Sequence, residues 1–248
     1  MKLLDKFALQ LYSVRDATET DFVGTLRKVG CNGIGYTGVE FAGFGGLSAD
    51  EMKTVLAENK LTAIGSHTPI ERLIDAVDEE IAYHKVIGAE YIVCPYSEIK
   101  TKADTIALAK TLTPIAEKIA ASGLKFGYHN HDHEFVVDAG EYLLDILLDN
   151  LPDSTVLELD YFWSEYAGVD SIAYMEKQKN RLELFHVKQI DSNKNNVELD
   201  SGLIDFNDII RKAQSLGVRH FILEQEKYAV SSMVSVENAM RYISSLEK

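Results

Sequence analysis

The sequence has few of the residues that mark secreted, disulfide-bonded or membrane proteins. Its 248 residues include only two cysteines, Cys31 and Cys94, and neither belongs to a Cys-x-x-Cys pair. Isolated thiols of this kind indicate a reducing compartment rather than a disulfide framework. No apolar run approaches the ~18 residues of a membrane-spanning helix, and the N-terminus lacks the apolar core of a signal peptide. The sequence therefore predicts a cytoplasmic protein with no membrane partner.

Positive charge is also scarce. The chain carries 25 Lys and Arg residues against 39 Asp and Glu residues, which gives a formal net charge of −14. Because nucleic acids present a dense row of phosphate charges, an acidic chain of this kind is repelled by them. The composition therefore predicts no nucleic-acid partner and leaves small neutral or cationic ligands and metal ions as candidates.

Segments that would divide the chain are missing. There are only four prolines, and no low-complexity stretch, Pro-rich linker or charge block interrupts the sequence. A chain of this length fits one large α/β barrel as readily as two small domains. We therefore expect a single domain over residues 1–248.

A repeating pattern fills the chain instead: a short apolar run, a polar or glycine-rich break, then an amphipathic segment of helical period. The predicted strands cover residues 7–12, 38–42, 62–67, 91–96, 125–131, 155–161, 184–190 and 220–226. Helices are predicted near residues 18–30, 49–59, 71–87, 102–122, 141–149, 170–178, 206–216 and 235–246.

Eight alternating strand–helix units predict the α/β class and a closed (β/α)8 TIM barrel. A doubly wound open sheet is the main alternative. That fold would carry a glycine-rich phosphate fingerprint after its first strand, but residues 9–16, "LQLYSVRD", contain no glycine.

Alternation within the later strands predicts polar side chains that face the barrel axis at the carboxyl end of each strand. The inward-facing residues by this reading are His129, His131, Glu158, Asp160, His186, Lys188, Glu224 and Glu226, and Cys94 is placed inward as well. Gln10, Glu40 and His67 occupy the same end of the first three strands. Because TIM-barrel active sites lie at this rim, these side chains are predicted to converge on one site.

Imidazoles and carboxylates together are typical ligands of a divalent transition-metal ion. Asp160, His186 and Glu224 lie on consecutive strands, so they are the predicted ligands. A cation would also offset the repulsion between neighbouring carboxylates. Glu158 lies deeper and is interpreted as a buried structural carboxylate. His84, His133 and His220 are interpreted as structural or solvated residues.

Four segments carry a family resemblance: "ALQLYSVRD", "GYHNHDHEF", "LELDYFW" and "LFHVKQID". They resemble the xylose-isomerase-like TIM-barrel superfamily of sugar phosphate isomerases and epimerases, over essentially the whole chain. The resemblance implies one divalent ion (Mn, Co, Zn, Fe or Mg) held by a Glu, an Asp, a His and a Glu. Asp160, His186 and Glu224 match the last three ligands. His129 stands where the first Glu is usual, since "HNH" replaces "ENH", and His131 on the same face is the alternative ligand from this strand.

The resemblance implies a metal-dependent isomerase or epimerase that acts on a keto-sugar or keto-polyol through an enediolate. His129, Glu224 and Lys188 would be catalytic. The substrate-binding residues would be Gln10, Glu40, His67, His131, Trp163 and Glu226. The missing Glu keeps a lyase or dehydratase acting on an inosose or a 3-keto-glycoside as an alternative. A nuclease of the AP-endonuclease type and a non-catalytic sugar-binding barrel are further alternatives, and a homo-oligomer is left open.

The histidine in place of a carboxylate also predicts a pH effect. An imidazole titrates near neutral pH, so protonation of His129 would weaken metal binding below about pH 6.

Overall fold

The eight predicted strands form a closed parallel barrel, as the sequence predicts. The computed structural model describes residues 4–246. Each strand pairs with its sequence neighbours, and the last strand pairs with the first. The strands are β1 (Phe7–Gln10), β2 (Gly38–Phe41), β3 (Thr62–His67), β4 (Tyr91–Cys94), β5 (Lys125–His129), β6 (Val156–Asp160), β7 (Leu182–Val187) and β8 (His220–Leu223).

The helices surround the barrel and cover the outward face of its strands. They are α1 (Arg15–Thr20), α2 (Phe22–Val29), α3 (Ala49–Asn59), α4 (Ile70–Ile87), α5 (Lys102–Ala121), α6 (Leu143–Asp149), α7 (Tyr161–Ala167), α8 (Ser171–Lys177), α9 (Phe206–Ser215) and α10 (Ser232–Ser245). Two short antiparallel hairpins lie outside the barrel: Val137–Asp138 pairs with Glu141–Tyr142, and Gln189–Ile190 pairs with Asn196–Val197. Within residues 4–246, no helix has the length and apolar content for a bilayer span.

Aspartates at helix starts explain two differences from the predicted elements. The predicted helix over residues 18–30 is two helices, because Asp21 is extended and its side chain accepts a hydrogen bond from the amide of Gly24 at 2.9 Å. The predicted strand over residues 155–161 ends at Asp160, which caps α7 by accepting from the amide of Trp163 at 3.3 Å. Aspartate favours this capping position over continued strand or helix.

Two further predictions are corrected. Cys94 was placed inward, but it packs in the apolar layer between the barrel and the helices, whereas Tyr91 and Val93 face the axis. The predicted strand over residues 184–190 leaves the barrel after Val187, because the following residues join the second hairpin. The strand begins at Tyr91 as predicted, but Tyr91 faces the axis, so the two-residue period places Val93 inward and Cys94 outward.

An apolar plug fills the lower interior of the barrel and supports a polar layer above it. The plug consists of Ala8, Ile64, Tyr91, Val93, Val156, Leu184 and Ile222. On several of these strands the residue two positions further along is polar, as in the steps from Ala8 to Gln10, from Val156 to Glu158 and from Leu184 to His186. The polar layer therefore lies at the carboxyl end of the barrel on a packed base.

Gly65 in β3 gives a test of this interior packing. A Cβ atom at this position would lie 2.7 Å from the Tyr91 carbonyl oxygen and 2.9 Å from the Tyr91 Cβ. Neither atom can move without shifting β4. We therefore expect Gly65→Ala to lower the free energy of unfolding by about 1–3 kcal/mol in urea denaturation.

The matched control is Gly38→Ala. Its new Cβ would lie 3.1 Å from Ile64 Cδ1 and 3.2 Å from Ala8 Cβ, so its contacts are longer than those at Gly65 and involve side chains rather than the backbone. We expect a loss below about 1 kcal/mol. Equal losses in the two variants would contradict the view that backbone contact at Tyr91 makes Gly65 necessary.

Candidate metal and substrate site

A cavity of about 610 Å³ opens at the carboxyl end of the barrel. Its lining residues are Tyr12, Ala42, Gly43, His67, Pro69, Pro95, Tyr96, His129, His131, Trp163, Glu224 and Glu226. Six of the predicted site residues are among them. The other predicted residues, which are Gln10, Glu40, Asp160, His186 and Lys188, are buried in the layer beneath. The structure therefore brings all predicted site residues to one end of the barrel.

Four buried side chains on β5 to β8 or just beyond them form a first candidate metal group, which we call the upper quartet. Each of His129, Asp160, His186 and Glu224 offers one ligand atom, and these atoms lie within 4.8 Å of one another. The His186 Nδ1 atom is 3.2 Å from Glu224 Oε2, and the His129 Nε2 atom is 3.9 Å from Asp160 Oδ2. This is the ligand set that the sequence and its family resemblance predict, and metal binding by it stays a prediction.

A second group of the same kind lies immediately beneath and is called the lower quartet: His67, His129, Glu158 and His186. The Glu158 Oε2 atom is 2.7 Å from His67 Nε2, 3.2 Å from His129 Nδ1 and 3.4 Å from His186 Nε2. The sequence interpretation of Glu158 as a structural carboxylate did not include it in a candidate metal group. The Glu-x-Asp spacing with Asp160 indicates that Glu158 faces the same way as Asp160, since residues two positions apart on a strand share one face.

The two histidines that the quartets share turn a different nitrogen towards each quartet. His129 directs Nε2 to Asp160 above and Nδ1 to Glu158 below. His186 directs Nδ1 to Glu224 above and Nε2 to Glu158 below. Metal-binding histidines commonly use one nitrogen for the ion and the other for a carboxylate that fixes the ring. In the same way, one nitrogen of each ring belongs to the upper quartet, and the other nitrogen faces the Glu158 carboxylate of the lower quartet.

Glu40 and Gln10 extend the lower layer. The Glu40 Oε2 atom accepts a hydrogen bond from Gln10 Nε2 at 2.7 Å and lies 3.0 Å from His186 Nε2 and 3.3 Å from His67 Nε2. Both side chains are fully buried beneath the cavity lining. Their contact with a substrate stays a prediction, while their visible role is to hold the imidazoles in place.

Burial and mutual repulsion divide the carboxylates into two kinds. Burial raises the pKa of Glu40 to about 7, with a further increase from Glu158, and burial raises the pKa of Asp160 to about 7. Burial also opposes ionisation of Glu158 and Glu224. Nearby imidazoles outweigh it at Glu158, and Lys188 with His186 outweighs it at Glu224, so both pKa values fall well below the usual range. The layer thus has two ionised carboxylates and two that carry a proton easily.

The imidazoles differ in the same way. Burial lowers the pKa of His129 to about 3 and that of His131 to about 2. His186 is equally buried, but Glu158, Glu224 and Glu40 surround it and raise its pKa well above the usual value. The lowered pKa of His129 argues against protonation of this ring near pH 6, and the raised pKa of His186 favours a proton there instead. The effect of pH on metal binding stays a prediction.

Several buried polar atoms of the site have no hydrogen-bond partner among the residues that the structure describes. They are Glu40 Oε1, His129 Nδ1, His131 Nδ1, Glu158 Oε1, Asp160 Oδ2 and Trp163 Nε1. The His129 Nδ1 atom is near Glu158 but does not align for a regular hydrogen bond. Buried polar atoms are nearly always satisfied in folded proteins. The cluster of unsatisfied atoms, with Asp160 Oδ2 in the upper quartet, therefore fits a site that binds a cation and a polar ligand.

Lys188 supplies the buried positive charge of the site. Its ammonium group forms an ion pair with Glu226 and lies 3.7 Å from Glu224 Oε2 and 3.9 Å from Asp160 Oδ2. It also lies over the ring of Trp163 at 4.8 Å. Burial opposes the charge, but these carboxylates raise the pKa of Lys188, so the side chain stays cationic.

The remaining histidines lie apart from the quartets. His84 is buried in α4, where its ring bonds to the Ser66 hydroxyl at 2.8 Å and to the Glu80 carbonyl at 2.7 Å. His133 follows β5 and its Nε2 atom lies 3.0 Å from the Ser97 carbonyl oxygen. His220 begins β8, at the opposite end of the strand from the site. These positions agree with the structural interpretation of His84 and His220.

Known structures share this fold over nearly the full chain. A sugar phosphate isomerase/epimerase from Parabacteroides distasonis ATCC 8503 is 22% identical, with a TM-score of 0.83 over 98% of this chain and 96% of that one. The probable 3-DHS dehydratase AsbF from Bacillus anthracis is 14% identical, with a TM-score of 0.76 over 96% and 98%. The IolI protein, solved with a bound zinc atom, is 13% identical, with a TM-score of 0.76 over 98% of each chain.

Comparison with curated proteins finds no match. A family model described as xylose isomerase-like TIM barrel matches residues 26–246, which is most of the chain. The match agrees with the closed eight-stranded barrel and with the family resemblance of the sequence motifs. The chain therefore belongs to the xylose isomerase-like TIM barrel family.

Proposed function

We propose that the protein is a metal-dependent enzyme of the isomerase or epimerase type that acts on a keto-sugar or keto-polyol. The observation that carries this proposal is the upper quartet, whose four buried ligand groups lie at the base of a cavity of about 610 Å³. The similar structures named as a sugar phosphate isomerase/epimerase and as a zinc-bound IolI protein support it.

The upper quartet suits one divalent ion better than the lower quartet does. It contains two carboxylates, Asp160 and Glu224, whereas the lower quartet contains only one, Glu158. In the lower quartet, the Glu158 carboxylate is already within 3.4 Å of three imidazoles. Two imidazoles with two carboxylates suit Mn, Co, Zn or Fe, while Mg prefers an all-oxygen set.

An ion at this position would act as a Lewis acid that polarises a substrate carbonyl. Glu224 is ionised, lines the cavity and can remove the proton on the carbon next to that carbonyl. His131 also lines the cavity as a neutral imidazole with an unpartnered Nδ1 atom, so it can exchange a proton on another face of the substrate. Lys188 remains protonated and offsets the negative charge that develops.

We assign His129 a role other than the catalytic one that the family resemblance implies. Both of its nitrogens face carboxylates, Asp160 on one side and Glu158 on the other. Because both nitrogens are directed to carboxylates of the two quartets, the ring is better placed to bind a metal ion than to exchange a proton with a substrate. The reaction therefore depends on Glu224 and His131 for proton transfer.

The alternatives make different demands on the site. A lyase or dehydratase begins with the same proton removal, so product identity separates it from an isomerase. A nuclease of the AP-endonuclease type needs three zinc ions, whereas residues 4–246 contain two candidate groups that share His129 and His186. A non-catalytic sugar-binding barrel would bind ligand without proton exchange.

Two conservative variants test which quartet holds the ion. We expect Asp160→Asn to lose metal binding, because it removes a ligand charge from the upper quartet. Glu158→Gln should keep the ion but weaken its affinity about 10- to 100-fold, as loss of a carboxylate behind metal-binding histidines commonly does. Chelator competition with metal analysis measures both, and circular dichroism checks folding. Metal retained in Asp160→Asn but lost in Glu158→Gln would place the ion in the lower quartet.

Metal binding should release protons at pH 7. The raised pKa of His186 and the Asp160 pKa of about 7 mean that these groups hold protons in the metal-free protein, which a cation must displace. Affinity should therefore fall as the pH decreases through neutrality, above the pH 6 region expected from a free histidine. Calorimetry in two buffers with different ionisation enthalpies counts the released protons. Binding without proton release would contradict the assigned ligands.

Solvent exchange tests the proposed reaction. The metal-loaded protein is incubated in deuterium oxide with ketoses, inososes and 3-keto-glycosides. We expect deuterium to enter the carbon next to the carbonyl of at least one substrate, because reversible proton removal exchanges that hydrogen with solvent. His131→Gln should slow the exchange about 100-fold or more, and mass spectrometry with NMR measures the label and the products.

His133→Gln is the matched control, since it makes the same change in the same segment outside the cavity lining. It should exchange at the rate of the unmodified protein. Ligand binding with no exchange for any carbonyl compound would instead favour the non-catalytic sugar-binding barrel.

A further inference from the structure

The side wall of the cavity is a continuous aromatic surface. Tyr96, His131 and Trp163 follow one another, with ring centroids 5.4 Å apart between Tyr96 and His131 and 5.2 Å apart between His131 and Trp163. We call these three residues the aromatic wall. All three line the cavity, together with Tyr12. Flat rings of this kind provide apolar contact for the C–H face of a sugar, while their polar atoms remain able to bind hydroxyl groups.

The aromatic wall also has unused hydrogen-bonding capacity. The Trp163 Nε1 and His131 Nδ1 atoms are buried and have no partner among residues 4–246. One atom is a donor by chemistry, and the other is a donor or an acceptor depending on the tautomer. Hydroxyl groups on a ligand that lies against the wall can satisfy both atoms.

The charge of the described lining is mainly negative. Glu224 and Glu226 are its only Asp or Glu residues, and no Lys or Arg belongs to the lining that the structure describes. His67 also lines the cavity, and although burial lowers its pKa, Glu40 and Glu158 raise the pKa above the usual value.

Lys188 and Arg15 contact residues of the lining, and both already have partners. Lys188 is buried against Glu226. Arg15 donates to the Tyr228 hydroxyl at 2.8 Å and to the Tyr12 carbonyl at 2.9 Å.

The start of helix α4 is a feature of the kind that binds anions, but its attraction for an anion is weak at this site. Helix α4 begins beside the cavity lining, and its capping position, Pro69, makes no side-chain cap. Free amides at a helix start can bind phosphate. However, the first turn of α4 carries Glu71, whose charge opposes an anion at that position.

We infer that this site takes an uncharged, unphosphorylated sugar or polyol ketone whose ring lies against the aromatic wall, and that it disfavours phosphate esters. This inference rests on the proposed function. It separates the protein from a relative named for sugar phosphates. A phosphate group against the aromatic wall would lie near Glu224 and Glu226 and would find no Lys or Arg in the lining that the structure describes. Under the proposed function the metal ion is engaged by the ketone oxygens, so the charge pairs at the wall are unfavourable and weaken binding.

Trp163 gives a direct assay because it is the only tryptophan of the chain. Its fluorescence reports what reaches the cavity whether or not a reaction follows. The Zn²⁺-loaded protein is titrated with D-fructose, L-ribulose and a 2-inosose, with the phosphate esters of the two ketoses, and with inorganic phosphate. We expect saturable emission changes with at least one neutral probe below about 10 mM, above the usual range of Michaelis constants. Each phosphate ester should need a concentration about tenfold or more higher than its parent sugar.

A substitution in the aromatic wall adds a test that does not depend on catalysis. Tyr96→Ala removes one ring but no charged or metal-binding group, so it should weaken the response to the neutral probe about tenfold. Val136→Ala, at an exposed position in the segment that follows β5, should leave it unchanged. Equal or tighter binding of a phosphate ester, or saturable binding of inorganic phosphate at the wall, would overturn the inference. Failure of every neutral probe to change Trp163 emission would overturn it as well.

The outcomes for the inference and for the proposed function are separate. A fluorescence response to neutral sugars without deuterium exchange would contradict the enzyme and keep the ligand class. Deuterium exchange that is as fast with phosphate esters as with free sugars would keep the enzyme and contradict the ligand class.

Discussion

The burial of several carboxylates in one layer of the barrel is the constraint on which the site depends. Glu40, Glu158, Asp160 and Glu224 are all at least nine-tenths buried within a few ångströms of the same imidazoles. An isolated buried carboxylate is strongly unfavourable, so each needs a proton, a cation or hydrogen-bond donors. The rings of His67, His129 and His186, the Lys188 ammonium group and a bound metal ion are the available means.

The fold makes this layer possible by the way it spaces its strands. Parallel strands bring their carboxyl ends to one rim, and each strand contributes an inward residue every second position. The apolar plug fills the lower interior, so polar residues are confined to the rim rather than distributed along the axis. The helices cover the outer faces, which leaves the rim as the opening. Chemistry is thereby concentrated where ligands can enter.

Much of the fold and part of the site could be predicted from the sequence. The alternation of strands with helices and the two-residue period within a strand are both local signals. The alternation of strand and helix predicted the closed barrel, and the two-residue period of β6 and β7 put Asp160 and His186 on the inward face. Capping by Asp21 and Asp160 depends on backbone conformation that an apolar pattern does not reveal. The short helix α7 was therefore missed, although its capping aspartate was itself recognised as a site residue.

Relations between strands could not be read in this way. The register shifts between Leu157 and Glu158, so that Glu158 lies opposite Leu184 and Asp160 lies opposite His186. This shift, together with the approach of His67 from β3, gives Glu158 its three imidazole neighbours. No periodicity within one strand encodes such contacts, and the relation between the two quartets emerged only from the three-dimensional arrangement.

Anomalous diffraction from a crystal of the protein grown with Zn²⁺ would test the central claim most directly. The account predicts a single strong peak among His129 Nε2, Asp160, His186 Nδ1 and Glu224, with Glu158 beneath it in contact with the other nitrogens of the two rings. A peak coordinated by Glu158 and His67 in the lower quartet would contradict the account, and so would a crystal with no ordered ion at either position.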